Sequence, residues 1–129
     1  PDLRGYIAAN KILSLPIRDL THVERIWMAK VVYHRYVGMK EKKQIEKSII
    51  NLLTEEQKAS SYAVGLGLRF IYIFCGGYPK NLEKIKLKIK KNKLICKIKP
   101  EAKSLMDKEV ERRLKNFANA SNLNYEIIF

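Results

Sequence analysis

The sequence feature that most constrains the fold is KIKLKIKKNKLICKIK, which runs from Lys84 to Lys99. Isoleucine and leucine alternate with lysine through its first half, with a period of two. Residues two apart share one face of a β-strand, whereas on a helix they would fan around the axis. The alternation breaks at residues 91–93 and resumes at Cys96. The stretch therefore predicts a β-hairpin with one apolar face and one cationic face.

The charge of the chain points to anionic partners. The 129 residues carry 26 Lys plus Arg against 13 Asp plus Glu, which gives a net charge of +13. Such an excess favours nucleic acid, polyphosphate or acidic lipid as a partner and does not bear on the fold. A lysine-rich surface that is only solvated, as in proteins encoded by AT-rich genomes, is the alternative interpretation. The length suits one domain with a genuine core, or one and a half small ones.

Apolar runs and cysteines indicate the cellular setting. The longest apolar run, residues 62–75, is broken by Arg69 and is too short to span a bilayer, so we expect no membrane partner. Cys75 and Cys96 form neither a disulfide framework nor a zinc spacing, and a reducing cytoplasm is therefore expected. The chain starts at Pro1 without an initiator methionine or a signal peptide, and we expect it to be a segment of a longer protein.

Helical signals fill the first part of the chain. A short helix is expected over Arg4–Leu13. Thr21 and Glu24 have the spacing of a capping box, in which each side chain satisfies the backbone N–H of the other residue. The helix that this box opens is predicted to reach Val37, with Gly38 as its C-terminal stop.

Two further helices are predicted before the hairpin. Ile45, Ile49 and Leu52 form a second amphipathic face, and a repeated capping box at residues 54–57 opens a long helix. That helix is expected to end at residues 76–77, which are both glycine.

The pattern changes again after the hairpin. A helix is predicted from Ser104 or Asp107 to Asn119, and a last strand over Asn124–Phe129. The order of four helices, then strand, strand, helix and strand defines an α+β fold class with the two kinds of element segregated. We predict that the chain has two parts. The helical domain covers residues 1–78, and a small β-β-α-β subdomain covers residues 79–129.

Residues suited to catalysis or metal binding do not come together in the sequence. The two histidines, His22 and His34, lie about 18 Å apart along one helix and cannot share a metal. Paired cysteines, an HExxH motif, an Asp-rich calcium loop and a glycine loop after a strand are all absent from the sequence. Gly65 and Gly67 are expected to allow close helix packing, and His34 to be a buried, hydrogen-bonded residue. We therefore predict no catalytic residue, metal site or cofactor in this chain.

The candidate binding residues are basic. Side chains two apart on one face of a strand lie about 6.6 Å from each other, so the lysines of residues 84–90 form a row suited to a linear polyanion. Arg69 lies in an apolar stretch, where a buried guanidinium needs either a carboxylate such as that of Glu24 or a crevice that receives an anion. Because aromatic residues do not interleave with the lysine row, readout of bases is not favoured. The predicted polyanion-binding set is Lys84, Lys86, Lys88, Lys90, Arg69, His34 and Arg35.

Four stretches of the chain, in this order and spacing, resemble the C-terminal region of the exopolyphosphatase and guanosine pentaphosphate phosphatase (Ppx/GppA) family, in its alphaproteobacterial version. They are LTHVERIWMAKVVYHRY, LGLRFIYIFCGGYP, KIKLKIKKNKLICKIKP and EVERRLKNFANASNLNYEIIF. The most specific motifs are Leu68-Arg69-Phe70 in a helix that ends in two glycines, and the run Val110–Leu114 before the final strand.

The resemblance implies an accessory role. The catalytic part of that family is a pair of N-terminal actin-like lobes with glycine-rich phosphate loops and a carboxylate general base, and its magnesium is expected there. The resemblance assigns the helical domain to an HD-like type, of whose metal ligands only His34 and Asp2 stand near the expected places. We therefore expect a C-terminal domain, inactive alone, of an exopolyphosphatase-like phosphohydrolase. It would support the binding of inorganic polyphosphate or support dimerisation, with the remaining lobes of the parent chain or a second copy as protein partners.

Two other functions stay open at this stage. One is a basic module that binds nucleic acid or the ribosome, and the other is a dimerisation domain whose charge is incidental. Whether polyphosphate or guanosine pentaphosphate is the parent's substrate also stays open.

Overall fold

The structure, a computed structural model, describes residues 3–40 and 45–129. The helices are α1 (Arg4–Ser14), α2 (His22–Val37), α3 (Lys47–Ile50), α4 (Glu55–Cys75) and α5 (Lys108–Ala120). The strands are β1 (Ile85–Lys90), β2 (Lys93–Ile98) and β3 (Asn124–Ile128), and short 3-10 helices cover Pro79–Lys84 and Pro100–Leu105. The predicted α+β class is confirmed, with helices first and a small sheet with its helix second.

The chain divides into two compact units, Pro1–Leu66 and Gly67–Phe129. The division falls inside α4, whose first three turns or so belong to the first unit and whose last turns belong to the second. The predicted domain boundary between residues 78 and 79 stays a prediction.

Both predicted capping boxes are present in the first unit. At the start of α2, the Glu24 amide donates to Thr21 Oγ1 at 3.1 Å, and the Thr21 amide donates to Glu24 Oε1 at 3.4 Å. Before α4, the Gln57 amide donates to Thr54 Oγ1 at 3.1 Å, and the Thr54 amide donates to Gln57 Oε1 at 2.9 Å. These reciprocal bonds satisfy amides that the first turn of a helix leaves without an intrahelical partner.

The core of the first unit forms where α1 packs on α2. Ala9 of α1 is fully buried with Ala29 and Tyr33 of α2, and Ile45 joins this cluster. Val31 lies outside that cluster but is also buried, so α2 is covered on more than one side.

The predicted amphipathic face of Ile45, Ile49 and Leu52 is wrong at its last position. Helix α3 has only one turn, and Leu52 beyond it is 63% exposed whereas Leu53 is 4% exposed. Because the helix ends at Ile50, the spacing of 3.6 residues no longer applies, and a turn brings the next apolar side chain inward instead. Residues 41–44, which precede this segment, lie outside the described residues.

The second unit contains a three-stranded sheet of order β1-β2-β3. β1 pairs antiparallel with β2, and β2 pairs parallel with β3. The hairpin loop is Lys91-Asn92, with φ values of 51° and 60°. Two positive φ values in a two-residue loop are the geometry of a type I′ turn, which fits the twist of the strands. Lys84 is the last residue of a 3-10 helix, so β1 begins at Ile85, one residue after the start of the predicted hairpin.

The core of the second unit lies between the sheet, the end of α4 and α5. Its fully buried members include Phe70, Phe74, Cys96, Ile98 and Leu114. Burial raises the pKa of the Cys96 thiol to about 11, so the thiol stays protonated at neutral pH and is not a nucleophile.

Polar contacts fix α5 within the second unit. Asp107 caps the helix by accepting the Val110 amide at 2.9 Å, and the Tyr125 hydroxyl of β3 donates to Glu111 at 3.1 Å. Arg112, which donates two hydrogen bonds to Glu109, lowers the pKa of that carboxyl to about 2.

Candidate polyanion-binding site

The register of the sheet separates an apolar face from a cationic face. Ile85 of β1 lies opposite Ile98, and Leu87 lies opposite Cys96, on the side that carries the core. The other side carries the exposed lysines of both strands, which we name the lysine face. The lysine face comprises Lys86, Lys88, Lys90, Lys93 and Lys97.

Two pairs of lysines face each other directly across the hairpin. Lys86 lies opposite Lys97, and Lys90 lies opposite Lys93. Directly opposed side chains have Cβ atoms about 5 Å apart, and like charges in this position destabilise a sheet. Glu126 of β3 offsets part of the repulsion, because its carboxylate lies 3.4 Å from Lys93 Nζ. The pair Lys86–Lys97 lies at the other end of the strands.

That other end opens into a groove of about 240 Å³, which we name the lysine groove. Two opposed lysine pairs form its cationic lining. One is Lys86 and Lys97. The other is Lys84 and Lys99, which continue the ladder because the Lys99 amide donates to the Lys84 carbonyl at 2.9 Å. Glu83 is the acidic residue of the lining. The complete lining is Glu83, Lys84, Lys86, Lys97, Ile98, Lys99, Pro100 and Phe129.

The lysine groove combines four lysines with one exposed aromatic ring. The Phe129 ring is 47% exposed, and Lys103 Nζ lies 5.1 Å from its centroid. The Ile98 side chain is buried on the core side of the sheet and adds no exposed apolar surface to the groove. Four lysines in one groove make it a candidate site for a multiply charged anion.

The structure joins only part of the predicted set at this site. Lys84 and Lys86 line the groove, and Lys88 and Lys90 continue along the lysine face. Sequence reasoning did not select Lys97 and Lys99, although the signal was present. A two-residue turn at residues 91–92 fixes the register, and that register places both lysines opposite the predicted row.

The two predicted arginines lie on helices. Arg69 is half-buried on α4 in the second unit, and its carbonyl accepts from Arg113 Nη1 at 3.4 Å. Arg35 is half-buried on α2 in the first unit, and its guanidinium lies 4.2 Å from the centroid of the Tyr36 ring. The pairing of Arg69 with Glu24 stays a prediction, as does anion binding by either arginine.

His34 is a buried residue of the first unit, 2% exposed. Its Nε2 lies 2.9 Å from Lys30 Nζ, and its Nδ1 lies 3.1 Å from the Gly38 carbonyl. Because a lysine ammonium only donates, Nε2 accepts and the proton sits on Nδ1. The ring also makes edge contacts with Tyr33 and Tyr62. These contacts give His34 a structural role in the α2–α4 packing of its unit.

Metal ligands do not cluster in the part of the chain that the structure describes. No three side chains of His, Cys, Asp or Glu come together within residues 3–40 and 45–129. Asp2, which the resemblance placed near a ligand position, lies outside those residues.

The described residues contain no candidate membrane-spanning helix. Neither α4 nor any shorter described helix combines the length and apolar character needed to cross a bilayer.

Comparison with known proteins identifies the class to which this fold and site belong. The chain matches, over residues 1–128, the family model described as "Exopolyphosphatase, C-terminal". It belongs to that family and is a C-terminal accessory domain of the exopolyphosphatase type. The resemblance seen in the sequence is thus confirmed. The comparison with curated proteins gave no match.

Proposed function

We propose that this domain binds inorganic polyphosphate in the lysine groove and along the lysine face. The observation that carries the proposal is that Lys86 lies directly opposite Lys97. Lys84 and Lys99 form the next hydrogen-bonded pair beyond them, on the same side of the sheet. Opposed lysines destabilise the free sheet, and an anion that lies between them replaces this repulsion with attraction. A polyanion of closely spaced phosphates contacts both pairs at once.

The lysine face extends this site along the hairpin. Lys88 and Lys90 follow Lys86 along β1 at a spacing of about 6.6 Å, which lets one extended anion contact the whole row. Lysine is a compact point charge and needs no fixed geometry from its phosphate partner. Binding is therefore expected to depend on charge density rather than on sequence or base identity.

We further propose that hydrolysis belongs to a parent protein rather than to this domain. In that protein the terminal phosphoanhydride of polyphosphate, or of guanosine pentaphosphate, would be cleaved in cytoplasmic catalytic lobes that hold magnesium. The domain's part is to retain the phosphate chain near those lobes, alone or as a dimer. The family membership supports this division, as does the lack of a cluster of three metal-ligating side chains within the described residues.

The salt dependence of binding tests the proposed site. We expect the 129-residue protein to bind long-chain polyphosphate with an affinity that falls steeply as salt rises, because each neutralised phosphate releases counterions. Changing the four groove lysines to glutamine should flatten the slope of log affinity against log salt concentration by about three to four units. This number comes from the counterion-release relation measured on DNA. The measurement is a fluorescence anisotropy titration at several salt concentrations. The groove variant carries Lys84→Gln, Lys86→Gln, Lys97→Gln and Lys99→Gln.

A matched variant distinguishes an effect of the groove lysines from an effect of lower net charge. It removes the same number of lysines, all exposed, from three helices, and should change the slope by less than about one unit. Equal slopes for the two variants would contradict a localised site. Tighter binding to a nucleic acid than to polyphosphate of equal charge would instead favour the nucleic-acid module. The matched variant carries Lys11→Gln, Lys47→Gln, Lys108→Gln and Lys115→Gln.

A further inference from the structure

Strand β1 is an edge strand with an open hydrogen-bonding side. Within residues 3–40 and 45–129, the sheet order β1-β2-β3 gives β1 one neighbour, β2. The bond from the Lys99 amide to the Lys84 carbonyl sets the phase of the antiparallel ladder. Since hydrogen-bonded positions alternate, Lys86, Lys88 and Lys90 direct their backbone groups toward β2. Leu87 and Ile89 therefore direct their amides and carbonyls to the open edge.

The same two residues expose apolar side chains on the core side of the sheet. Leu87 is 39% exposed and Ile89 is 66% exposed, whereas their cross-strand neighbours Cys96 and Leu94 are 0% and 3% exposed. The core therefore covers β2 but leaves the outer half of β1 uncovered. An apolar side chain on an added strand would lie directly beside Leu87 or Ile89 and bury part of that surface.

The opposite side of β1 specifies the charge of an added strand. Lys86, Lys88 and Lys90 are all exposed there. A strand paired with the open edge would place every second side chain next to one of these lysines, where opposite charge stabilises and like charge destabilises. A second copy of β1, paired so that the apolar sides match, would set lysine against lysine. The edge thus disfavours self-pairing and selects an acidic segment.

We propose that β1 is a docking edge for an extended segment of a partner protein that alternates acidic and apolar residues. The segment adds a fourth strand to the sheet, as in β-augmentation. Its main chain pairs with Leu87 and Ile89, its apolar residues lie beside their side chains, and its acidic residues face the three lysines of β1. The two proposed interactions share the lysines of β1, but polyphosphate binding uses neither the open backbone groups nor the side chains of Leu87 and Ile89.

A synthetic peptide tests the proposal with the intact 129-residue protein. The probe is a blocked heptapeptide that alternates valine and glutamate, and the comparison peptide has the same composition with the glutamates in one block. We expect the alternating peptide to bind about tenfold more tightly, because only it satisfies both faces and the edge together. Hydrogen exchange of the Leu87 and Ile89 amides should slow on binding, since both become hydrogen-bonded.

Two variants make the test specific to the edge. Ile89→Pro removes an amide that faces the open edge but no hydrogen bond to β2. It should lower the affinity for the alternating peptide about tenfold. The double variant Leu87→Ser with Ile89→Ser should lower the affinity for the alternating peptide by a similar factor, while its affinity for polyphosphate stays unchanged. Leu68→Ser with Leu82→Ser, two exposed leucines elsewhere in the unit, is the matched control.

The outcomes separate this proposal from polyphosphate binding. Equal affinity for the two peptides, or unchanged exchange at Leu87 and Ile89, would overturn the docking edge and leave the lysine groove untouched. Weaker polyphosphate binding in the variant Lys97→Gln with Lys99→Gln, which leaves β1 unchanged, with retained peptide protection at Leu87 and Ile89, would support both proposals.

Discussion

Replacing Phe70 with alanine is expected to lower the free energy of unfolding of the second unit by about 3–5 kcal/mol. Phe70 is fully buried in the core beneath the sheet, and its ring centroid lies 6.3 Å from that of Phe74. Removing the ring loses its transfer free energy and leaves a cavity that the surrounding side chains fill only in part. Because a domain has a total stability of about 5–15 kcal/mol, this single change removes a large fraction of it.

The measurement must report on the second unit directly. The single tryptophan, Trp27, lies in the first unit, so hydrogen exchange of β2 amides during urea unfolding is the suitable probe. Phe129→Ala is the matched control, since it deletes the same ring from a position that is 47% exposed. It should cost less than about 1 kcal/mol. Equal losses for the two variants would show that Phe70 does not form the core described above.

Replacing Gly65 with alanine is expected to destabilise the first unit by about 2–3 kcal/mol. A Cβ at Gly65 would lie 2.7 Å from His34 Cβ and 2.8 Å from the Val31 carbonyl oxygen. Both are held by the backbone of α2, so relief requires the two helices to separate. The better helix propensity of alanine, about 1 kcal/mol, offsets only part of that cost.

Trp27 reports on this helix pair. Its Nε1 donates to Ser60 Oγ at 2.8 Å, across the α2–α4 contact in the first unit, so its fluorescence should change in the Gly65 variant. Gly67→Ala is the control, because its added Cβ would meet the Phe117 ring at 2.9 Å. Phe117 is half-buried and can turn aside, so we expect a change of less than about 1 kcal/mol. A Gly65 variant as stable as the Gly67 variant would contradict the close packing of α2 on α4.

Local signals in the sequence were sufficient to predict most elements. The capping boxes at Thr21 and Thr54 depend on side chains three positions apart, and the structure contains both. The break in alternation at residues 91–93 predicted the hairpin, and the structure places its loop at Lys91-Asn92. The predictions that Gly65 and Gly67 serve helix packing are confirmed by the contacts that an added Cβ would make. Contacts between residues close in the sequence can be predicted from it, because few other backbone conformations satisfy the same side chains.

Features set by tertiary contacts could not be predicted in this way. The alternation of Ile85, Leu87 and Ile89 indicated one apolar face, but Ile89 is 66% exposed. Periodicity gives the side of the sheet and cannot tell how far a covering helix extends across it. The parallel addition of β3 next to β2 likewise depends on the path of α5, which residue spacing does not determine.

The candidate site shows the same limit. The lysine row of β1 was predicted from alternation, whereas the groove needed the register that brings Lys97 and Lys99 opposite Lys86 and Lys84. His34 was predicted both as a packed core residue and as a member of the anion-binding set. The structure confirms its burial, and anion binding by His34 stays a prediction.

The most direct test of polyphosphate binding is a map of amide chemical shifts during titration with long-chain polyphosphate. The isotope-labelled 129-residue protein would be titrated at near-physiological salt. The proposed site predicts that the largest shifts cluster in residues 84–90 and 93–99, which contain the groove and the lysine face, and that α5 changes little. Shifts spread evenly over exposed lysines, or centred on α1 and α2, would contradict a polyphosphate site on this sheet.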